Sequence, residues 1–132
     1  MPRIAHTVID NAAGYATGVR AGRHKLNADE PASRGGTDTG PSPYELLLAG
    51  LGACTAITLR MYADRKGWQL GTIHVDLELH KDGEGDTGRI ARVVSFSATL
   101  QPEQKARLAE IAEKTPVTRT IKAGATIDTT FR

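Results

Sequence analysis

Cys54 carries the only thiol in the chain. A cysteine does chemistry as a thiolate, and it needs a nearby cation or a helix N-terminus to stay ionised. Cys54 stands about three turns inside a predicted helix, too far from the positive end of the dipole to use it, so an arginine has to serve. A helical side chain leans back over the residue four positions earlier. Here that residue is Gly50, which leaves room over the sulfur for a substrate, and Gly52 adds to the space. The same glycines, with Ala49, Ala53 and Ala56, would also let two helices pack closely, and both uses could hold at once in a dimer. Cys54 also reads as a small buried hydrophobe. On the residues alone both readings stay open.

Other groups are less promising. Glu45 lies nine residues before Cys54, about 900° round the helix at about 100° per residue, and so on the opposite face. It cannot reach the thiol of its own chain. Its ready role is to close a capping box with Ser42, and a catalytic role is open to it only across a dimer interface. His74 and His80 share a strand face but are six residues, or about 20 Å, apart, and they cannot bind one ion. The remaining histidines, His6 and His24, form no HxxxH pattern and no CxxC exists, so no metal or cofactor is expected. Gly35-Gly36-Thr37-Asp38-Thr39-Gly40 is no phosphate loop, because no Gly-Lys-Ser/Thr follows.

The element that must position Cys54 starts at Ser42-Pro43-Tyr44-Glu45. Ser42 caps, Pro43 takes the first helical position, and Glu45 falls where a capping box wants a carboxylate. Gly67 is a natural stop behind Arg65 and Lys66. From Leu46 to Leu59 no residue is charged and apolar side chains fall on every face, which predicts a helix about 35 Å long that is buried all round. The uncharged run is short for a membrane span.

Before this helix, Arg3 to Ile9, Tyr15 to Arg20 and Arg23 to Ala28 read as strands of a meander. Asp29 to Pro43 is a long loop rich in Gly, Pro, Ser and Asp. After it, Ile73, Val75, Leu77 and Leu79 alternate with His74, Asp76, Glu78 and His80, a half-buried strand with its apolar face toward the helix. A hairpin turn over Asp82 to Asp86 leads to a return strand with Val94, Phe96, Ala98 and Leu100 inward. Pro102 opens a second helix to about Lys114, ended by Thr115-Pro116. Ala125 to Phe131, with Ile127, Thr129 and Phe131 on one side, reads as a last strand. The fold class is α+β in the order β-β-β-α-β-β-α-β, as one domain over residues 1–132. One small sheet and one short helix are not enough to cover a helix apolar on all sides, so a second copy is expected to supply the other cover in an intertwined homodimer.

The composition agrees with a soluble domain: 132 residues, 39% hydrophobic, 24% charged and a net charge of +2. The near-balance argues against a nucleic-acid binder. One cysteine excludes an intrachain disulfide and points to a reducing compartment, and Met1-Pro2-Arg3-Ile4 has no apolar signal core, so a cytoplasmic location is expected, with no membrane partner.

The stretch from Gly35 to Ala56, with Gly40-Pro41-Ser42-Pro43-Tyr44-Glu45-Leu46-Leu47 and then Cys54 in the same helix, strongly resembles the OsmC-like family of osmotically inducible and organic hydroperoxide resistance proteins. Arg60-Met61-Tyr62-Ala63, Lys66-Gly67-Trp68 and Lys114-Thr115-Pro116-Val117-Thr118-Arg119-Thr120 extend the resemblance over nearly the whole chain. It implies an intertwined homodimer with sites at the subunit interface and a thiol peroxidase. In the family that it resembles, the helix cysteine attacks the peroxide bond, an arginine stabilises the thiolate and orients the substrate, and a glutamate holds the arginine. There a second cysteine resolves the sulfenic acid.

Carried onto this chain, Cys54 matches the peroxidatic cysteine, and Arg20 is the best match to the arginine, with Arg23 in reserve. Two departures follow. Thr115 stands where the second cysteine would fall and cannot form a disulfide. The glutamate position of the hydroperoxide-resistance branch falls at Tyr44, one residue before Glu45, and one residue turns a helical side chain by about 100°. Three readings result. The first is a one-cysteine reductase of organic or hydrogen peroxides that uses an external thiol or dithiol, with Cys54, Arg20 and Glu45 as catalytic candidates and Gly50 and Tyr44 against the substrate. The second is a non-catalytic dimer that binds a small apolar ligand or senses oxidation through Cys54. The third is an interaction scaffold in which Cys54 is inert.

Overall fold

The computed structural model describes residues 1–83 and 87–132. The chain folds as two compact units, Met1–Leu47 and Leu48–Arg132. Three antiparallel strands form the sheet of the first unit: β1 (Thr7–Asp10), β2 (Thr17–Ala21) and β3 (His24–Ala28), in that order. Their register places Ile9 beside Val19 and Val19 beside Leu26, so β-branched and aliphatic side chains form a row on one face. Gly22 takes a left-handed φ of 60° in the β2–β3 turn. The first strand begins later than the sequence pattern predicts; Arg3 and Ile4 lie outside it and are exposed.

A buried carboxylate organises the long loop that follows. Asp29 is 2% exposed. Its Oδ1 accepts the Glu30 N–H at 2.7 Å. Its Oδ2 accepts the Thr37 N–H at 3.2 Å, the Thr37 hydroxyl at 2.7 Å, the Thr39 N–H at 3.1 Å and the Thr39 hydroxyl at 2.8 Å. These bonds hold its carboxyl well below the usual carboxylate range, the Thr37 hydroxyl contributing most, against a desolvation effect in the opposite direction. The turns are tight: a Cβ on Gly36 would meet the Glu30 carbonyl, and one on Gly40 the Asn27 carbonyl.

The loop delivers the chain to α1 (Pro43–Lys66) through the expected capping box. The Ser42 N–H donates to Glu45 Oε1 at 2.9 Å, and the Glu45 N–H donates to Ser42 Oγ at 3.2 Å. At the other end Gly67, with a φ of 70°, closes the helix, and the Trp68 N–H donates back to the Ala63 carbonyl at 2.9 Å.

The second unit pairs β4 (Ile73–Lys81) with β5 (Gly88–Phe96) in an antiparallel hairpin. The expected alternation is present: Ile73, Val75, Leu77 and Leu79 are half-buried, and His74, Asp76, Glu78 and His80 are exposed. In the predicted turn over Asp82 to Asp86, Glu84, Gly85 and Asp86 lie outside the described residues. The core joins Leu59 and Ala63 of α1 to Leu70 and to Leu108 and Ala112 of α2 (Pro102–Ala112), with Tyr62, Val94, Phe96 and Leu100 packed against it.

Four expectations need correction. Ala98 and Leu100 face inward but lie past the end of β5. Thr115-Pro116 does not merely end the second helix. That helix stops at Ala112, and Pro116, at its N1 position, opens a third, α3 (Pro116–Ala123). A ring that cannot continue a helix is pre-set to begin one. Residues 124–132 form no strand, and Ile127 and Phe131 are 85% and 94% exposed. Alternation alone does not make a strand where no sheet edge pairs with it. The described order is therefore β-β-β-α-β-β-α-α, still an α+β fold. Nor is α1 buried all round: Leu51, Thr55, Leu59 and Ala63 form its buried stripe, while Ile57 and Met61 are 56% and 60% exposed.

Candidate active site

Cys54 is half-buried on α1, beside the buried stripe rather than in it. Its sulfur lies 4.0 Å from the Thr58 hydroxyl, one turn on, a contact in which either group can donate. Gly50, one turn back, is exposed, and a Cβ placed on it would find nothing within 4 Å. The space expected over the sulfur is therefore on the Gly50 side. Gly52 does not add to it. Gly52 is buried, and a Cβ there would press to 2.7 Å from Leu77 Cδ1 of β4, so this glycine lets helix and sheet approach.

The other sequence candidates belong to the first unit. Arg20 is an exposed residue of β2, opposite Val8 and Lys25. Arg23 is exposed in the β2–β3 turn, and Tyr44 is 52% exposed. Glu45 is exposed, and one of its carboxylate oxygens is engaged in the helix cap.

Sequence reasoning missed the most heavily bonded side chain in the second unit, Arg92. It sits on β5 between Ile90 and Val94, on the half-buried face, with its side chain 13% exposed. Nη1 donates to Thr55 Oγ1 and to Thr118 Oγ1, each at 2.9 Å. Nη2 donates to the Ala112 carbonyl at 3.1 Å and to Glu113 Oε2 at 3.0 Å. One guanidinium thus ties α1, the end of α2 and the start of α3 to the sheet. Its planar fork of donors makes that arrangement possible. The signal was in the sequence: the period-2 pattern of Phe96 and Val94, carried two residues further back, puts a charge on the buried face.

Thr115, where the resemblance would put a second cysteine, is fully buried, and its hydroxyl lies 2.6 Å from that of Thr118. Thr55 donates to the Leu51 carbonyl at 2.7 Å, so Arg92, Thr55, Thr118 and Thr115 form one satisfied polar chain. Glu113, at its edge, also takes the Lys122 ammonium at 2.7 Å. That bond above all, with Arg92 beside it, holds the Glu113 carboxyl below its ordinary value, against desolvation in the opposite direction. Arg92 and Glu113 border two cavities, one of about 480 Å³ and one of about 290 Å³.

Comparison with known proteins bears on what this arrangement is. The family model described as OsmC-like protein matches residues 36–130. No curated protein matches the chain. Among solved structures, an OsmC-like protein from Mycoplasma pneumoniae superposes with a TM-score of 0.80 at 16% identity, over 92% of this chain and 89% of that one. An organic hydroperoxide resistance protein OsmC from Legionella pneumophila gives 0.67 at 21% identity, over 91% and 90%. The organic hydroperoxide resistance protein OhrB of Bacillus subtilis gives 0.63 at 23% identity, over 91% of each chain.

Proposed function

Because this chain belongs to the OsmC-like family, whose model spans residues 36–130, we propose that it is a thiol-dependent hydroperoxide reductase that works through Cys54 alone. The observation that carries the reading is the half-buried Cys54 with open space at Gly50. Buried, the sulfur would meet no substrate; on a bare surface, nothing would orient one. The organic hydroperoxide resistance proteins among the matched structures support this substrate class.

The reaction balances with an external thiol. The Cys54 thiolate attacks one oxygen of the peroxide bond, the O–O bond breaks, and its electron pair leaves on the other oxygen, which takes a proton to become the alcohol. Cys54 is left as a sulfenic acid. A small thiol then condenses with it, releasing water and forming a mixed disulfide. A second thiol cleaves that disulfide and restores Cys54. Thr115 cannot take the resolving part, so the reductant has to come from solution, and the opening at Gly50 gives it a path.

Arg20 is the cation proposed to hold the thiolate and the peroxide, with Glu45 and Tyr44 supporting it. These roles go with a homodimer in which one copy's α1 covers the exposed Ile57 and Met61 of the other. The working setting is a reducing cytoplasm. A second reading rests on Thr115: without a resolving cysteine, the same dimer would bind a small apolar ligand or sense oxidation through Cys54.

The test is consumption of an organic hydroperoxide with dithiothreitol as reductant, wild type against Cys54→Ser. Turnover should be present in the wild type and fall to the uncatalysed background in the variant. Equal turnover in both proteins would sink the reading. Stoichiometric sulfenic acid on Cys54 with no turnover would favour the sensor.

A further inference from the structure

The larger of the two cavities beside Arg92 is not lined by Cys54. Leu51, Ile90 and Ile121 supply an apolar wall, and Arg92, Thr118 and Lys122 supply the polar side, with Glu113 at the edge. Its volume of about 480 Å³ lies within the range of small-molecule sites. Its charges do not balance. Arg92 and Lys122 share a single carboxylate, that of Glu113, at 3.0 and 2.7 Å. Lys105 lines the adjoining cavity, which Arg92 and Glu113 also border, and adds a third cation. Glu113 is the only acidic side chain that lines either space among the described residues.

The way Glu113 is held says what the two cations accept. A carboxylate fills the gap between a guanidinium fork and an ammonium, each by a charge-assisted bond. Yet this carboxylate is a tethered and exposed one, with its side chain 58% accessible, while the guanidinium that it meets is 13% accessible. The three other bonds of Arg92, to Thr55, Thr118 and the Ala112 carbonyl, hold the guanidinium in place whether or not Glu113 is there. A fixed cation, a removable anion and an apolar wall beside them form a site that a second carboxylate can enter, its hydrocarbon part lying along Leu51, Ile90 and Ile121.

We propose that this cavity is a binding site for small aliphatic carboxylates, which displace or share Glu113 on Arg92 and Lys122. The site is independent of the Cys54 chemistry. Binding requires both parts of the ligand: the charge, for the paired cations, and the chain, for the apolar wall. Acetate has the first alone and octanol the second alone.

The experiment is a calorimetric or NMR titration of the full chain with sodium octanoate at neutral pH, with acetate and octanol as controls. Octanoate should bind, and both controls should bind at least about tenfold more weakly. Glu113→Gln removes the competing anion and should tighten octanoate by about three- to fivefold, whereas Lys122→Gln should weaken it by about threefold, the range expected of exposed charge pairs. Cys54→Ser should leave the affinity unchanged, which separates this site from the peroxide chemistry. Arg92→Gln should abolish binding but also loosens the fold, so the two surface variants carry the test. Octanol binding as tightly as octanoate, an affinity that neither Glu113→Gln nor Lys122→Gln moves, or no octanoate binding at all would overturn the proposal.

Discussion

Two side chains of the second unit, Cys54 and Arg92, differ in how visible they are in the sequence. Cys54 was conspicuous as the one thiol in a motif-bearing helix. Arg92 was not, because a lone charge in a strand reads as an exposed one unless the Phe96–Val94 alternation is carried back to it. Leu77 stands opposite it, on the same inward row. Its replacement tests its structural weight. Arg92→Met keeps the stem and removes the four hydrogen bonds to Thr55, Thr118, Ala112 and Glu113. It should cost about 2–3 kcal/mol, since Thr55 and Thr118 stay buried without their donor. Urea unfolding measures this, and an unchanged midpoint would show that the threonines re-pair locally. Arg92→Lys should recover only part of the loss, because a single ammonium cannot present two nitrogens in a fixed fork.

At the scale of elements, the loop from Asp29 to Ser42 and the cap of α1 act as one joint. Ser42→Ala deletes the side-chain half of the capping box and should cost about 1 kcal/mol, read from thermal or urea unfolding. Asp29 gives the joint a pH dependence. Its folded carboxyl titrates below the ordinary value of 3.8 because the charged form accepts the Thr37 and Thr39 bonds. A depressed carboxyl stabilises the fold fully above its unfolded value, and that contribution is lost as pH falls through 3.8 toward the folded value. Asp29→Asn should lower stability at neutral pH and flatten the acid limb of the pH–stability curve. Parallel acid limbs for the variant and the wild type would show that another carboxylate controls it. Gly36→Ala and Gly40→Ala should each loosen the same joint, since a Cβ at either position meets backbone that cannot swing aside. Limited proteolysis between residues 29 and 42 would report it.

At the scale of the molecule, the long helix presents the main question of assembly. One stripe of α1 is buried within its own chain, and Ile57 and Met61 remain exposed. Large apolar side chains in a row are a poor surface for a monomer. Ile57→Asp with Met61→Glu should shift the sedimentation of the proposed homodimer to that of a monomer and lower peroxide turnover with it. A wild type that sediments as a monomer would remove the interface from the mechanism.

The sequence by itself determined the local structure. Ser42, Pro43, Glu45 and Gly67 set both ends of α1, because caps depend on near neighbours. The alternation from Ile73 to His80 set the faces of β4. The family, too, was legible from Gly35 to Ala56. What tertiary structure decided was everything that depends on a distant partner. It turned Pro116 from a stop into a start, and it left the Ala125–Phe131 alternation unpaired. It committed Gly52 to Leu77 and kept Gly50 open. It also drew Arg92 to threonines 37 and 26 positions away in the chain. Periodicity reports which side of an element is apolar. Only packing reports what stands opposite, and a buried charge is satisfied by whatever stands there.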